Sequence, residues 1–223
     1  MADNSIIVVF GGTGTIGRQV VRRLKARGAH VRAMTRRVGA AHRLFDRYPG
    51  DGVVDVVEGD LTVPQDVAAA LDGATGVVMT HGAPYGFEDG YKAVDYGAVA
   101  NVIDALNGSQ EGRNIKVELM SSIGTSHSDQ PVLAWKFRGE EALRDSGLDY
   151  VIVRPGWFAD GNEGGVRLRQ GDRVEYGQAN TDDIAEALVE GLFSDDATGT
   201  TFEVFTEVGA PGIAEQFAGL ERD

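Results

Sequence analysis

An α/β fold built on a doubly wound parallel sheet is predicted by three observations. Short apolar, β-branched runs alternate with amphipathic stretches along most of the chain, as parallel strands and their crossover helices require. Runs such as VVDVV, GVVM and YVIV are almost continuously apolar and read as strands covered on both faces. The first of these strands stops at Gly11-Gly12-Thr13-Gly14-Thr15-Ile16-Gly17, after which residues 18–27 place Val20, Val21 and Leu24 on one side of a helix. Strand, tight glycine turn and helix follow one another without a gap.

Taken in order, strands are expected at about 5–10, 30–34, 53–58, 76–80, 115–120 and 150–154. Helices are expected between them at 15–27, roughly 38–47, 64–72, 90–107 and 135–146. Right-handed crossovers bring the C-terminal ends of such strands to one edge of the sheet, where ligands bind. The pattern changes after Pro155. Gly161, Gly164 and Gly165 interrupt it, and residues 166–168 and 173–176 flank a Gly171-Asp172 turn as a short hairpin would. Thr181 reads as the cap of a helix reaching about residue 192, with Asp182 and Asp183 in its first turn, and 201–205 reads as a late strand. The expectation is one Rossmann-type domain over 1–223, with residues 156–223 forming a small substrate-side lobe.

Composition narrows the function classes. The chain has 223 residues, 42% hydrophobic and 25% charged, which is ordinary for a soluble globular protein. No apolar run approaches the ~18 residues that span a bilayer. The opening MADNS lacks a basic region and an apolar signal core, and there are no cysteines, so neither disulfides nor thiol catalysis is available. A cytoplasmic location is expected on these grounds. With 34 acidic against 21 basic residues the net charge is −13, a field that repels nucleic acid and anionic membrane. Arg18, Arg22, Arg23, Lys25, Arg27, Arg32, Arg36, Arg37, Arg43 and Arg47 nevertheless crowd the early part of the chain, a local positive zone beside the glycine turn. The expected partner is a small-molecule substrate, with a homodimer as the one protein assembly considered.

The glycine turn carries the first chemistry. Gly12, Gly14 and Gly17 match G-x-G-x-x-G, while Gly11, Gly14 and Gly17 match the G-x-x-G-x-x-G variant. Glycines let the backbone turn sharply and approach a pyrophosphate, and the helix N-terminus offers free N–H groups and a positive dipole end. Gly11, Thr13, Gly14, Thr15, Ile16 and Gly17 are therefore expected to contact a dinucleotide. The second strand ends in Met34-Thr35-Arg36-Arg37 with no acid to bind a ribose 2′-hydroxyl; the next acid is Asp46. Arg36 and Arg37 instead offer forked donors suited to a 2′-phosphate, so NADP(H) is expected over NAD(H). Asp60 and Leu61, after the third strand, are placed to meet the adenine amino group and ring, although an aspartate there also suits a plain turn. Thr80, His81 and Gly82 follow the fourth strand and line the same crevice.

These residues, with others, carry a family resemblance. GGTGTIGRQVVRRL, EGDL at 58–61, Leu119-Met120-Ser121-Ser122-Ile123-Gly124, Trp135-Lys136 through Glu141, Ser146 through Tyr150, Val153-Arg154-Pro155-Gly156 and Asp182-Asp183-Ile184-Ala185 resemble the short-chain dehydrogenase/reductase superfamily, within it the atypical, NmrA-like NAD(P)H-binding branch. Members typically use a Tyr-x-x-x-Lys pair. The resemblance puts Lys136 in the lysine position, but Val132 stands where the tyrosine would be, and none of the tyrosines at 85, 91, 96, 150 and 176 has that spacing. The resemblance to isoflavone-reductase-like members implies that a lysine without a tyrosine partner can serve reduction.

By that resemblance Lys136 would hold the nicotinamide ribose and assist proton delivery, Ser122 or Ser121 would orient a substrate oxygen, and Pro155 would border the cofactor. Glu140 is an alternative helix partner for Lys136 at i,i+4. His81 and His127, each after a strand end, are candidate proton donors. Trp157, Phe158, Tyr85, Phe87 and Trp135 are candidates for an aromatic substrate wall. No His, Asp or Glu spacing fits a metal site, and no Gly-x-Ser-x-Gly elbow is present. The leading expectation is an NADP(H)-dependent oxidoreductase acting on a carbonyl compound or enone. The alternatives are a non-catalytic NADP(H)-binding sensor or regulator, favoured by the missing tyrosine, and a non-redox epimerase or dehydratase that retains the nucleotide.

Overall fold

The β-branched run Ile6–Phe10 forms β1 at the centre of the sheet, paired in parallel with β2 (His30–Thr35) on one side and β4 (Ala74–Met79) on the other. Its side chains alternate between two cores. Ile7 and Val9 enter one with Val20, Val21 and Leu24 of α1 (Gly17–Ala26), while Val8 and Phe10 enter the other. A strand buried on both faces is what the continuous apolar run requires. The computed structural model describes residues 5–84, 86, 88–109, 112–127, 129–161, 163–172 and 177–223.

The sheet has eight strands in the order β3-β2-β1-β4-β5-β6-β10-β8. They are β3 (Val53–Glu58), β5 (Lys116–Met120), β6 (Tyr150–Pro155), β8 (Gly165–Arg169) and β10 (Thr200–Glu207) with the three central strands, and only β8 runs antiparallel. Helices α1, α2 (Val38–Phe45), α7 (Thr181–Phe193) and α8 (Ile213–Phe217) supply apolar residues to one core. Helices α3 (Pro64–Leu71), α5 (Ala98–Asn107) and α6 (Pro131–Arg144) supply the other. The chain winds outward from β1 through β2 to β3, then returns to β4 and winds the opposite way. The topological switch therefore lies between β1 and β4, where such sheets open a crevice for ligands.

Several sequence expectations are corrected. The stretch 90–107 is not one regular helix: α4 (Glu88–Tyr91) passes into a π-helical segment, Lys92–Gly97, before α5. Helix α6 starts at Pro131, four residues before the expected 135, because proline suits the first helical position. The 166–168 strand is part of β8, but its partner is β10, with Leu168 opposite Val204; residues 173–176, its expected hairpin partner, lie outside the described residues. Thr181 is the first residue of α7, and Asn180 occupies the cap position without a side-chain cap bond. The segment after Gly156 thus places β8 and β10 in the main sheet and a separate two-stranded pair, β7 (Trp157–Ala159) with β9 (Gln178–Asn180), beside it.

The early cluster of arginines is also less free than its sequence suggests. Arg22 and Arg23 of α1 pair with Asp182 of α7 at 3.0 and 2.7 Å, and Arg27 pairs with Glu190. These solvent-exposed pairs contribute little stability each, but they neutralise one flank of the positive zone. Besides the Lys136–Asp95 pair, charged residue types are buried at two other places among the described residues. Arg154 on β6 bonds Glu140 of α6 at 2.5 and 3.0 Å and lies 3.4 Å from Glu203 of β10. That network ties α6 to the sheet.

Glu118 of β5 is the other buried charge site. It is fully buried against Gly191 of α7, and neither carboxyl oxygen has a hydrogen-bond partner among the described residues. Burial holds its pKa well above the usual carboxylate range, with only a smaller opposing pull from Lys116. The folded state therefore keeps a proton that the unfolded chain releases, so stability falls as pH rises through and beyond the unfolded value. Replacing Glu118 with the isosteric glutamine removes this penalty. The expected result is a Tm for Glu118→Gln above that of the parent at about pH 8, with a smaller difference at about pH 5, read by thermal denaturation at both pH values.

Candidate functional site

The switch point carries a cleft of about 770 Å³. Its floor is the turn after β1. Gly11 has φ +82°, and a Cβ there would lie 2.7 Å from the His81 nitrogen and 2.9 Å from Thr80 Oγ1. Gly17 has no more room, since its Cβ would strike the Gly11 carbonyl and lie 2.6 Å from Thr80 Oγ1. The Gly14 amide closes the turn on the Gly11 carbonyl at 2.9 Å. Gly11 and Gly17 are thus the positions the geometry requires; a Cβ at Gly14 would lie 3.2 Å from the Gly11 carbonyl, no tighter than one at Gly12, which backs onto Val21 at 3.2 Å. The amides of Thr13, Thr15 and Ile16 have no hydrogen-bond partner among the described residues. Donors left open where a helix begins form a cradle for an anion. Ile16 itself is buried and points into the core, so its contribution to the cradle is its amide.

Of the residues singled out from the sequence, Gly11, Thr13, Gly14, Arg36, Arg37, Asp60, Leu61, Thr80, His81 and Gly82 line this cleft together. Arg36 leaves 80% of its side chain exposed and stands 3.7 Å from Asp60, so its guanidinium is available to a ligand. Asp60 is first of all a turn residue: its Oδ1 accepts from the Thr62 amide at 2.9 Å and the Thr62 hydroxyl at 2.7 Å. Those bonds, more than the nearby Arg36, hold its carboxyl below the usual range. The remaining lining mixes the polar Thr35, Thr62 and Asp89 with Phe10, Met34, Pro84, Ala93 and Val94, apolar side chains of the kind that take a flat heterocycle.

Lys136, expected at the cofactor, does not line the cleft itself. It lines a small neighbouring space with Asp95, Leu119, Met120, Ser121 and His81, the residue the two spaces share. Its Nζ sits 2.7 Å from Asp95 Oδ1, with the Asp95 side chain completely buried and Lys136 only 17% exposed. The helix partner considered from sequence, Glu140, is taken by Arg154 instead. Gly82 covers this ion pair, since a Cβ there would come 3.4 Å from Lys136 Nζ. Asp95 went unnoticed in the sequence. The available signal was its position on the buried stripe that includes Tyr91, Ala98, Val99 and Val102, where a carboxylate demands a cation. The π-helical segment that carries it is a feature frequent at functional sites.

His81 has a defined tautomer. Its Nε2 lies 3.0 Å from the Val94 carbonyl, an acceptor only, so Nε2 carries the proton and donates. Burial, reinforced by the Lys136 charge, pushes its pKa down to about 3. The other candidates lie apart. His127 is exposed on a short 3₁₀ turn, Thr125–His127, and lines neither space. The Ser122 hydroxyl donates to the Ile123 carbonyl at 3.3 Å, whereas Ser121 faces Lys136's chamber. The Pro155 carbonyl accepts from Ile123 at the buried end of β6.

Of the expected aromatic wall, the described members Trp135, Trp157 and Phe158 do not line the cleft. Trp135 is flanked by Arg138 at 4.6 Å and Lys92 at 5.7 Å, Trp157 and Phe158 are 65% and 50% exposed on β7, and Tyr85 and Phe87 lie outside the described residues. Among the described residues no group of His, Asp and Glu could hold a metal ion, and no helix is long and apolar enough to cross a membrane.

An anion cradle at the switch point of a doubly wound sheet, with a deep apolar cleft beside it, defines a dinucleotide-binding Rossmann protein. The comparisons with known proteins agree: the NAD(P)H-binding family model matches residues 11–195, and the chain belongs to that family. The chain is 31% identical over 215 residues to Protein TIC 62, chloroplastic, from Pisum sativum, a match that covers 83% of this chain and 40% of that protein. It is 29% identical over 157 residues to Photosystem II assembly factor Ycf39 from Trieres chinensis, covering 70% of this chain and 46% of that protein. The chain therefore spans less than half the length of both relatives.

Among solved structures, a putative NAD-dependent epimerase/dehydratase from Bacillus halodurans superposes with TM-score 0.83 at 26% identity, covering 97% of this chain and 100% of that one. ChuY, described as an anaerobillin reductase from Escherichia coli O157:H7, superposes with TM-score 0.73 at 24% identity over 93% and 100% of the two chains, a likeness of fold. The cytoplasmic location expected from the sequence is overturned by the relatives, of which TIC 62 is chloroplastic by name.

A ring held neutral in this way gives a direct check on the site. The two-dimensional ¹⁵N–¹H spectrum of the imidazoles is expected to show His81 as an untitrating Nε2–H tautomer between about pH 5 and pH 8. An inflection for His81 inside that window would mean that the ring is open to solvent and the chamber is not closed.

Proposed function

We propose that this protein is an NADP(H)-dependent oxidoreductase that reduces a small carbonyl compound or conjugated double bond. The observation that carries the reading is the largely buried Lys136–Asp95 pair, which adjoins the dinucleotide cleft through the shared lining residue His81. An ammonium group kept in a shielded pocket beside a cofactor site is placed to hold hydroxyls and to hand a proton to a developing oxyanion. The description of ChuY as a reductase supports the same reading.

The parts divide as follows. The amides of Thr13, Thr15 and Ile16 would take the pyrophosphate, and Arg36 and Arg37, with no acid at the end of β2, would take a 2′-phosphate. Leu61 would pack on the adenine, with Asp60 Oδ2 free of the Thr62 bonds that occupy Oδ1. NADP(H), when bound, supplies the hydride chemistry. Lys136 would orient the ribose and the substrate oxygen and deliver the proton. A second reading, an NADP(H)-binding regulator without turnover, is favoured by Val132 at the position where the superfamily's tyrosine is expected. Ycf39, an assembly factor by name, points the same way.

Turnover separates the two. Multiple-turnover consumption of NADPH with a panel of ketones, aldehydes and enones is the expected result, and retained NADPH binding without turnover across the panel would favour the regulator. Replacing both Arg36 and Arg37 with alanine is expected to weaken NADPH by roughly 2–3 kcal/mol while leaving NADH nearly unchanged, measured by calorimetry; equal losses for the two nucleotides would remove the 2′-phosphate assignment. Lys136→Ala should lower kcat about a hundredfold or more and weaken NADPH binding as well, since the same side chain would hold the ribose.

A further inference from the structure

Beside the turn that follows β5, three carboxylates share one buried guanidinium. Arg154 of β6 takes Glu140 of α6 at 2.5 and 3.0 Å, Glu203 of β10 at 3.4 Å and Asp172 at 3.6 Å. Glu140 and Glu203 are fully buried and Asp172 nearly so. Arg144, at the rim, gives Glu140 a second cation at 3.0 Å, but its Nε goes to Asp223 at 3.1 Å. Arg169 of β8 stands opposite Glu203 in the sheet register, yet its guanidinium goes to Glu207. From the turn after β5 the cluster receives the Thr125 hydroxyl, which donates to Glu140, while His127 is exposed. Acids outnumber the cations that face them. The excess falls on Glu203, whose Oε2 has no hydrogen-bond partner among the described residues.

Asp172 connects this cluster to the turn. Its Oδ1 accepts from the Gly124 amide at 2.6 Å and its Oδ2 from the Ser126 amide at 2.8 Å. It is the only non-glycine among the described residues with a positive φ, +50°, a conformation that persists only where the surroundings hold it. The segment it grips runs on from Ser121, which lines the space beside Lys136, and leads into α6. Its other tether is the Ile123 amide, which donates to the Pro155 carbonyl at 3.1 Å. A surface cavity of about 480 Å³ is lined by Ser126, Arg154 and Gly171, so water reaches the cluster once Asp172 moves.

We propose that Glu203, Arg154 and Asp172 form a proton-operated latch on residues 123–127, shut while Glu203 carries a proton and opened when Glu203 ionises and Asp172 releases the Gly124 and Ser126 amides. A protonated Glu203 leaves Arg154 to Glu140 and Asp172. An ionised one adds a buried negative charge beside Asp172, and the two carboxylates compete for the same Arg154 Nη1. Opening lets water solvate both. Burial pushes the Glu203 pKa up to about 7 against the pull of Arg154 and the Asp172 amide, and the Asp172 carboxylate adds to the rise. The shut latch thus binds the proton more tightly than the open one, in which Glu203 returns toward the ordinary carboxylate range. The shut form is favoured at low pH and loses ground as pH rises to about 7, above which both forms have released the proton. Nothing in the latch depends on the reductase reading.

Amide hydrogen exchange reads the latch directly. With the intrinsic base-catalysed rate divided out, protection of the Gly124 and Ser126 amides is expected to fall about fiftyfold between about pH 5 and pH 8. It is expected to stay below that of the β1 amides, which report global opening. In Glu203→Gln the protection of Gly124 and Ser126 is expected to be nearly level across the same range. Asp172→Asn is the second variant, expected to lower that protection about tenfold at about pH 5 while the β1 amides, and so the fold, keep theirs. Protection of Gly124 and Ser126 that is level in the parent, or equal to that of β1 at every pH, overturns the latch. So does a fall that persists in Glu203→Gln, or protection indifferent to Asp172→Asn.

Discussion

The structure depends on one close approach of backbone to backbone. Where β1 ends, Gly11 and Gly17 meet each other and Thr80 at distances that leave no room for a Cβ at either glycine. The Thr80 amide and hydroxyl both donate to the Phe10 carbonyl, at 2.9 and 3.1 Å. That knot joins the end of β1, the start of α1 and the end of β4 at the one place where the winding of the sheet reverses. The amides of Thr13, Thr15 and Ile16 in that turn have no hydrogen-bond partner among the described residues. The cleft and the approach of Gly82 to Lys136 follow from where β4 ends relative to that turn.

Helix α6 connects this region to the rest of the molecule through two buried ion pairs. Lys136 and Glu140 are one turn apart and share a helix face, the spacing at which they would pair with each other on a solvated helix. Instead Lys136 turns to Asp95 and Glu140 to Arg154. Each charge is withdrawn from water, so each needs its own partner, and removing one would strand the other. Lys136 therefore has little freedom to turn away from the cleft. Gly139, between them, lets α6 approach the π-helical segment, since a Cβ there would lie 2.7 Å from the Asp95 carbonyl.

Much of the sheet was legible in the sequence because strands buried on both faces must be apolar at nearly every position. The six expected strands correspond to β1 through β6 within one or two residues. The C-terminal part was harder, since β8 is a sheet-edge strand whose partner, β10, lies 38 residues further along between Arg169 and Glu207. A local turn at Gly171-Asp172 suggests a hairpin, and no local signal says that the pairing is made elsewhere. Asp172 itself is used over a distance: its carboxylate accepts from the Gly124 and Ser126 amides.

The sequence by itself determined the parts of the site that are contiguous: the glycine turn, the arginines at the end of β2, and the residues that follow β3 and β4. Their geometry is set by neighbours a few residues away, so spacing alone conveys it. Only the tertiary structure decided that Asp95, not Glu140, meets Lys136, that the His81 ring bonds the Val94 carbonyl through Nε2, and that His127 stands apart on the surface. Those outcomes depend on burial and on which helix packs across which strand. Charge pairing inside a protein is settled by desolvation, which no run of letters displays until the chain has folded around it.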